Sequence, residues 1–371
     1  DTVARLGGDE FALIVPQIKQ RADLDVVAAR VKGVFQAPYF LQETEYVVTA
    51  SAGIAVYPAD GADVAELLAH ADAAMYRAKD QGRNSYEFYT PALTEAAYER
   101  LTLETQLRYA IERNELLLHY QPQIRLSDHT LIGAEALVRW RHPQQGMISP
   151  VKFIPVAEES GLIDALGDWV LRETCRQLRQ WSQAGLEIVK IAVNLSSRQV
   201  TKPELVERIG ALLREQEISP HWLQLELTES AVMSQAEKAI VNMQGLKALG
   251  LSLAIDDFGT GYSSINYLKR FPVDKLKVDR SFVCDIPNDP DDEAIARAII
   301  VLGHSLGLTV VAEGVETAAQ KDFLHANGCD EIQGFWFSRP LPAPEFAQLL
   351  AQHRPLHSPR ATEPEPASPR H

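Results

Sequence analysis

The sequence predicts an α/β protein: a closed (β/α)8 TIM-like barrel over about residues 115–350, preceded by a smaller, partial α+β block. Two observations carry this. From residue 115 onward, short apolar strands, polar turns and amphipathic helices repeat in that order, and strands alternating with helices argue for parallel strands. Eight such strands fit a closed barrel better than an open doubly wound sheet, which the pattern alone leaves as the alternative.

The strands, in order, are "LLLHYQPQI", "LIGAEALVRW", "IVKIAVNLS", "LQLELTES", "LSLAIDDF", "KLKVD", "TVVAEGV" and "EIQGFWF". Helices such as "GDWVLRETCRQLRQWSQAG" and "PELVERIGALLREQ" lie between most of them. Ahead of the barrel, residues 1–89 hold "RLGGDEFALIV", a helical run near Leu24–Phe35, a strand "YVVTASAGIAVY" and a helix "VAELLAHADAAMYRAKDQG". That last helix places Leu67, Leu68, Ala71 and Met75 at helical spacing, with Gly82 as C-cap. Residues 90–114 read as a helical connector with Leu101, Leu107 and Ile111 as its stripe. The expected division is therefore 1–89, 90–114, 115–352 and a tail, 353–371, whose Pro, Ser and charge predict disorder.

Composition bounds the function. A formal net charge of −14 argues against a surface that coats a nucleic-acid polymer. It leaves room for a small anion held by local cations or metals. Cys175, Cys284 and Cys329 lack paired spacing and read as reduced thiols of a cytosolic domain. The most apolar run, "AIIVLGHSLGLTVVA", is too short for a membrane span and is interrupted by Gly303, His304 and Ser305. Strand-like sequence follows directly on Asp1, so the chain reads as part of a longer protein.

Polar residues interrupt the strands late: Glu135 and Arg139, Asn194, Glu226, Asp256 and Asp257, Lys277 and Asp279, Glu313, and Gln333. In a barrel of parallel strands the C-terminal strand ends meet on one face, where such folds keep their active sites. Converging carboxylates repel, and buried unpaired charge is costly, so a divalent cation is the natural compensator. Acids and an amide, without Cys or His at these strand ends, describe a hard oxygen site for Mg²⁺ or Mn²⁺. His119, His142 and His304 occur singly and read as structural or exposed. Glu135 and Arg139 share a strand face, as do Lys277 and Asp279. A lysine held among acids and metals is no free base; it orients water or stabilises developing charge. The adjacent pair Asp256–Asp257 breaks strand alternation. The expected resolution is that Asp256 points inward while Asp257 begins the turn, with Gly259 and Gly261 permitting the bend.

The ordered motifs "EALVRW", "NLS", "ELTES", "DDFGTGYSS", "KVDRSF", "AEGVE" and "IQGFWFSRPLP" resemble the EAL-domain phosphodiesterases of bacterial cyclic di-GMP signalling, from about residue 102 to 350. The resemblance implies a barrel that binds cyclic di-GMP with one or two Mg²⁺ or Mn²⁺ ions and opens one phosphodiester to give linear pGpG. It assigns Glu135, Asn194, Glu226 and Asp256 as metal ligands, with Asp257 and Glu313 serving a second ion. It makes Lys277 the water-orienting lysine and sets Asp279 beside the attacking water. Gln121, Arg139 and Gln333 match substrate-contacting or active-site polar positions, and Glu229 and Glu316 match supports of the "DDFGTGYSS" loop, which is linked to dimerisation. A homodimer through this domain, a cytoplasmic location and a role in biofilm control are implied with it. The rival from another class is a noncatalytic cyclic di-GMP receptor; the complete acid set with Lys277 favours the enzyme.

The first block resembles the C-terminal part of a GGDEF (diguanylate cyclase) domain through "RLGGDEF", "SAGIAVYP" and "ADAAMYRAKDQGRNSYEFY". Asp9 or Glu10 would lie near a metal, Lys79 and Arg83 match phosphate-contacting positions, and Asp1 falls where an RxxD motif would end. Upstream acidic and guanine-contacting residues do not occur in this sequence, so it is not expected to make cyclic di-GMP. Allosteric GTP binding by this block is a third, weaker reading.

Overall fold

The computed structural model describes residues 1–352 apart from 17, 19, 20, 36, 42, 43, 81, 83, 234 and 261–264. The expected disordered tail, Arg83 and Gly261 therefore lie outside the described residues. The chain forms two compact units, Asp1–Thr105 and Gln106 onward.

In the first unit, Thr2–Gly7 and Glu10–Ile14 pair as an antiparallel hairpin. Gly8 takes a left-handed φ of 50° at its turn, and Asp9 and Glu10 stand exposed beside it. The expected long strand "YVVTASAGIAVY" is instead broken. Thr44–Tyr46 pairs with Tyr39–Leu41, and Ala52–Ile54 pairs in parallel with Tyr86–Phe88. Helix Val64–Asp80 packs on Ala52–Ile54 so closely that a Cβ on Gly53 would run into the backbone of Ala71 and Met75. This close approach buries Ala74 and Ala78, whereas Leu68 of the expected stripe is 44% exposed. Lys79 is exposed near the helix end. Helix Pro91–Glu112 carries the chain from one unit into the next; Leu101 in the first is exposed, and Leu107 and Ala110 in the second are buried.

The second unit is an eight-stranded closed barrel. Its strands are β1 Leu116–Arg125, β2 Leu131–His142, β3 Lys190–Leu195, β4 Leu223–Thr228, β5 Ser252–Phe258, β6 Lys275–Val278, β7 Thr309–Ala312 and β8 Glu331–Gln333. Pairing runs in sequence from β2 to β8, and β1 closes the ring against both ends. Strands β2 to β8 are parallel, but β1 is antiparallel to both neighbours, contrary to the expectation of uniform parallel strands. The connection 126–130 explains this, because a parallel crossover needs a dozen or more residues. The strands expected over "TVVAEGV" and "EIQGFWF" also end sooner: β7 stops at Ala312 and β8 at Gln333.

Strand alternation divides the barrel wall. Leu223, Leu225 and Leu227 of β4 are fully buried, and their alternates Gln224 and Glu226 form the polar face. Burying each such leucine contributes about 1.5–3 kcal/mol. Helix Ile163–Gln183 covers the wall beside β1, where Tyr120, Trp181 and Phe346 meet with ring centroids 4.9–5.6 Å apart. Capping boxes at Ser196–Gln199 and Thr317–Gln320 start helices a few residues after Asn194 and Glu313, and so fix the loops that follow β3 and β7. Among the described residues no helix is long and apolar enough to cross a membrane.

Candidate active site

Lys277 on β6 is the centre of the site and has no exposed surface. Its Nζ lies 2.6 Å from Glu226 Oε2, 3.1 Å from Asp256 Oδ2 and 3.8 Å from Glu135 Oε2, and it also pairs with Glu313. These four acids come from β2, β4, β5 and the residue after β7, so four separate strands deliver them to one point. The barrel's register makes this possible: Asn194 sits opposite Glu226, and Gln121 opposite Glu135.

Side-chain amides hold Glu135 in place. Asn194 Nδ2 donates to Glu135 Oε1 at 2.6 Å, and Gln333 Nε2 donates to Glu135 Oε2 at 2.6 Å and to Gln121 Oε1 at 3.2 Å. Glu135, Gln121 and Gln333 are buried, whereas Asn194 is exposed. Antiparallel β1 reaches the site from the other direction, which is why Gln121 belongs to it from mid-strand. Arg139 is half-buried and donates to Val138 O at 2.9 Å. Burial lowers its pKa, and the Glu135 charge opposes that. His119 also falls near this end of β1, and burial followed by the Arg139 charge lowers its pKa.

The charges do not balance. Burial alone would lower the Lys277 pKa, but Asp256, Glu135, Glu226 and Glu313 together hold it well above the ordinary lysine value, so it stays an ammonium. Burial pushes Glu226 up to about 8 against the pull of Lys277, and raises Glu313 for the same reason. Asp257 rises to about 6 through burial and the neighbouring Asp256 and Asp279 charges. One ammonium thus faces five carboxyls. Carboxylate oxygens of Asp256, Asp257 and Glu313 lie within 4.8 Å of one another. Surplus negative charge and an all-oxygen donor set fit a hard divalent cation.

The Asp256–Asp257 pair has a specific backbone solution. Asp257 itself takes a left-handed φ of 52°, and the β5–β6 register shifts between Ile255 and Phe258. The two carboxylates thus reach one site through a bulge inside the strand, not through a turn beginning at Asp257. Gly259 follows with φ 101°, and its N–H donates to buried Glu229 Oε2 at 3.1 Å. Asp279 follows β6 and caps the short helix Arg280–Phe282 by accepting from Ser281 N at 2.9 Å. Glu316 lies on the surface and accepts from Arg280 Nη2 at 2.9 Å, so its described partner is on the segment after β6.

Two site residues escaped the sequence reading. Gln224 Nε2 donates to Glu226 Oε1 at 3.0 Å, and Gln123 Nε2 donates to Gln333 Oε1 at 2.8 Å. Their signal was present in the period of two: each lies two residues from a named site position on its strand.

A barrel with acids and a buried lysine at its strand ends defines a class, and the comparisons name it. Residues 104–340 match the EAL domain family and residues 1–85 the family described as diguanylate cyclase, GGDEF domain. The chain belongs to the EAL-domain family and carries a partial GGDEF domain ahead of it. Among relatives, it is 48% identical over 351 residues to the bifunctional diguanylate cyclase/cyclic di-GMP phosphodiesterase MucR of Pseudomonas aeruginosa, covering 95% of this chain and 51% of MucR. It is 43% identical to the cyclic di-GMP phosphodiesterase NbdA of the same organism, covering 95% of this chain and 45% of NbdA. The chain thus spans about half the length of these curated relatives. The solved structure of the PaMucR phosphodiesterase in complex with c-di-GMP matches with a TM-score of 0.64 and 48% identity, over 66% of this chain and 99% of that one.

Proposed function

We propose that this chain is a Mg²⁺- or Mn²⁺-dependent phosphodiesterase that hydrolyses one phosphodiester of cyclic di-GMP to give linear pGpG. The observation that carries the proposal is the fully buried Lys277 ammonium among Glu135, Glu226, Asp256 and Glu313, with Asp257 adjoining. The names of the relatives support the substrate.

Glu135, Asn194, Glu226 and Asp256, with Asp257 and Glu313, are the residues that would hold one or two ions. A bound divalent ion would neutralise phosphate charge and lower the pKa of water. The chain's own groups divide the remaining work. Lys277 is locked as an ammonium, so it donates hydrogen bonds and cannot accept the proton of the attacking water. It orients that water and offsets charge that grows on the phosphate. Arg139 offers a fixed fork of donors for a nonbridging phosphate oxygen. Gln121 and Gln333 hold polar substrate edges, and Asp279 lies on the Asp257 side of the site, beside the path of the water. Glu229 supports the bulged segment through Gly259.

The receptor alternative is separated by product analysis. Glu135→Ala is expected to abolish metal-dependent pGpG release as read by chromatography of the nucleotide products, and near-wild-type turnover in this variant contradicts the assignment. Cyclic di-GMP binding by the wild-type chain without product, under both metals, supports the receptor. The same reading carries an expected homodimer through the EAL unit, which light scattering of the purified chain tests, and a cytoplasmic site of action.

A further inference from the structure

Below the ring of acids the barrel interior is polar, whereas barrels of this kind usually fill that layer with Val, Ile and Leu. Gln224 on β4 is 1% exposed and Gln123 on β1 is 2% exposed. We propose that these two glutamines are positioning residues for the acids that hold the metal: Gln224 fixes Glu226 directly, and Gln123 fixes Glu135 through Gln333. The inference rests on the functional reading above, in which Glu226 and Glu135 are metal ligands.

The geometry is directional. Glu226 has no exposed surface, and its two oxygens are held from different sides: Oε2 by Lys277 Nζ at 2.6 Å and Oε1 by Gln224 Nε2 at 3.0 Å. Removing the Gln224 amide leaves Oε1 as a buried acceptor and frees the carboxylate to turn toward the ammonium. The other end of the amide, Gln224 Oε1, is buried and has no hydrogen-bond partner among the described residues. The amide is therefore aimed at the acid at the expense of its own oxygen; turned over, it would set oxygen against carboxylate. Its register neighbours Ala192 and Ser252 are small, which leaves the side chain room to rise toward Glu226.

Gln123 repeats the arrangement. Its Nε2 donates to Gln333 Oε1 at 2.8 Å, which leaves the Gln333 amino group to donate to Glu135 Oε2 at 2.6 Å. A flipped Gln333 would present oxygen to that carboxylate. Gln123 sits opposite Gly133, where an added Cβ would come within 3.0 Å of Gln123 Oε1 and 2.8 Å of Lys190 O. The glycine makes space for the glutamine. Partners of this kind that orient metal ligands typically change metal affinity 10–100-fold when removed.

The test is direct Mn²⁺ titration of the whole chain by calorimetry, beside its melting temperature and the Mn²⁺ dependence of pGpG release. Gln224→Met keeps the side chain's length and removes the donor. It is expected to fold as wild type, to bind Mn²⁺ about tenfold more weakly or worse, and to regain turnover at saturating Mn²⁺. A folded Q224M with unchanged Mn²⁺ affinity overturns the inference. Should Q224M not fold, Q224L also removes the donor with a side chain of similar size, and the same loss of affinity is expected. If neither variant folds, the glutamine is a packing residue and the inference is overturned as well. A wild-type chain that neither binds Mn²⁺ nor hydrolyses cyclic di-GMP overturns the functional reading itself, and wild-type controls separate that result from one confined to the variants.

Discussion

Lys277 is a fully buried charge, as Glu226 is, and it is the acids' counterweight. Taking a lysine and four acids out of water is tolerable only because they face one another. Lys277→Met removes the only cation in that group. In EDTA this variant is expected to lose about 3–5 kcal/mol of stability, the usual cost of leaving buried charge unpaired. It is also expected to lose pGpG release even when Mn²⁺ is added. Thermal melts in EDTA and with Mn²⁺ check both statements, and an unchanged melting temperature contradicts the first. At this scale the acids were legible in the sequence, because a carboxylate inside an apolar strand is conspicuous. Gln123 and Gln224 were missed, since an uncharged amide in a strand is less conspicuous than a carboxylate even where it shares a strand face with a named site residue. Glu316 lies on the surface and accepts from Arg280, and residues 261–264 of the loop it was expected to support lie outside the described residues.

Among the elements, β5 carries the site's least ordinary backbone. Asp257 adopts φ 52° within the strand, a conformation that Asp and Asn reach more readily than other side chains. Asp257→Asn is thus expected to keep the fold and weaken Mn²⁺ binding, whereas Asp257→Ile adds about 1–2 kcal/mol of backbone cost. Circular-dichroism melts beside metal titration distinguish the two effects; equal melting temperatures for D257N and D257I contradict the bulge as the source. Gly334 after β8 makes a different demand. Val315 N donates to Gln333 O at 3.1 Å and Trp336 N to Val315 O at 2.9 Å, and a Cβ on Gly334 would meet the Val315 backbone. Gly334→Ala is expected to cost about 1–3 kcal/mol and to lower turnover, since Glu313 and Gln333 flank this contact; a wild-type melt contradicts it. Sequence periodicity found the eight strands but missed the direction of β1, because direction depends on the length of a connection and not on the strand's own residues. It also overextended β7 and β8, which end before Glu313 and Gly334 although Val315 and Phe335 continue the apolar pattern.

For the whole molecule, the barrel explains why the motifs are scattered along the sequence and gathered in space. The strands contribute one or two polar groups each, within them or just past their ends, and closure of the ring brings these together. The fold class and the convergence of the acids were readable because both follow from the period of the pattern. The first unit was less so: its strands are short, Ala52–Ile54 depends on a partner more than thirty residues later, and its helix buries alanines instead of the larger residues at helical spacing. The net charge of −14 agrees with a ligand drawn in by a local cation site and not by a broad basic surface. The most direct measurement is to strip the purified chain with EDTA, add cyclic di-GMP, and follow nucleotides by chromatography as Mg²⁺ or Mn²⁺ is titrated in. Linear pGpG is expected to appear only as metal is added; cyclic di-GMP left intact at saturating levels of both metals would contradict the phosphodiesterase.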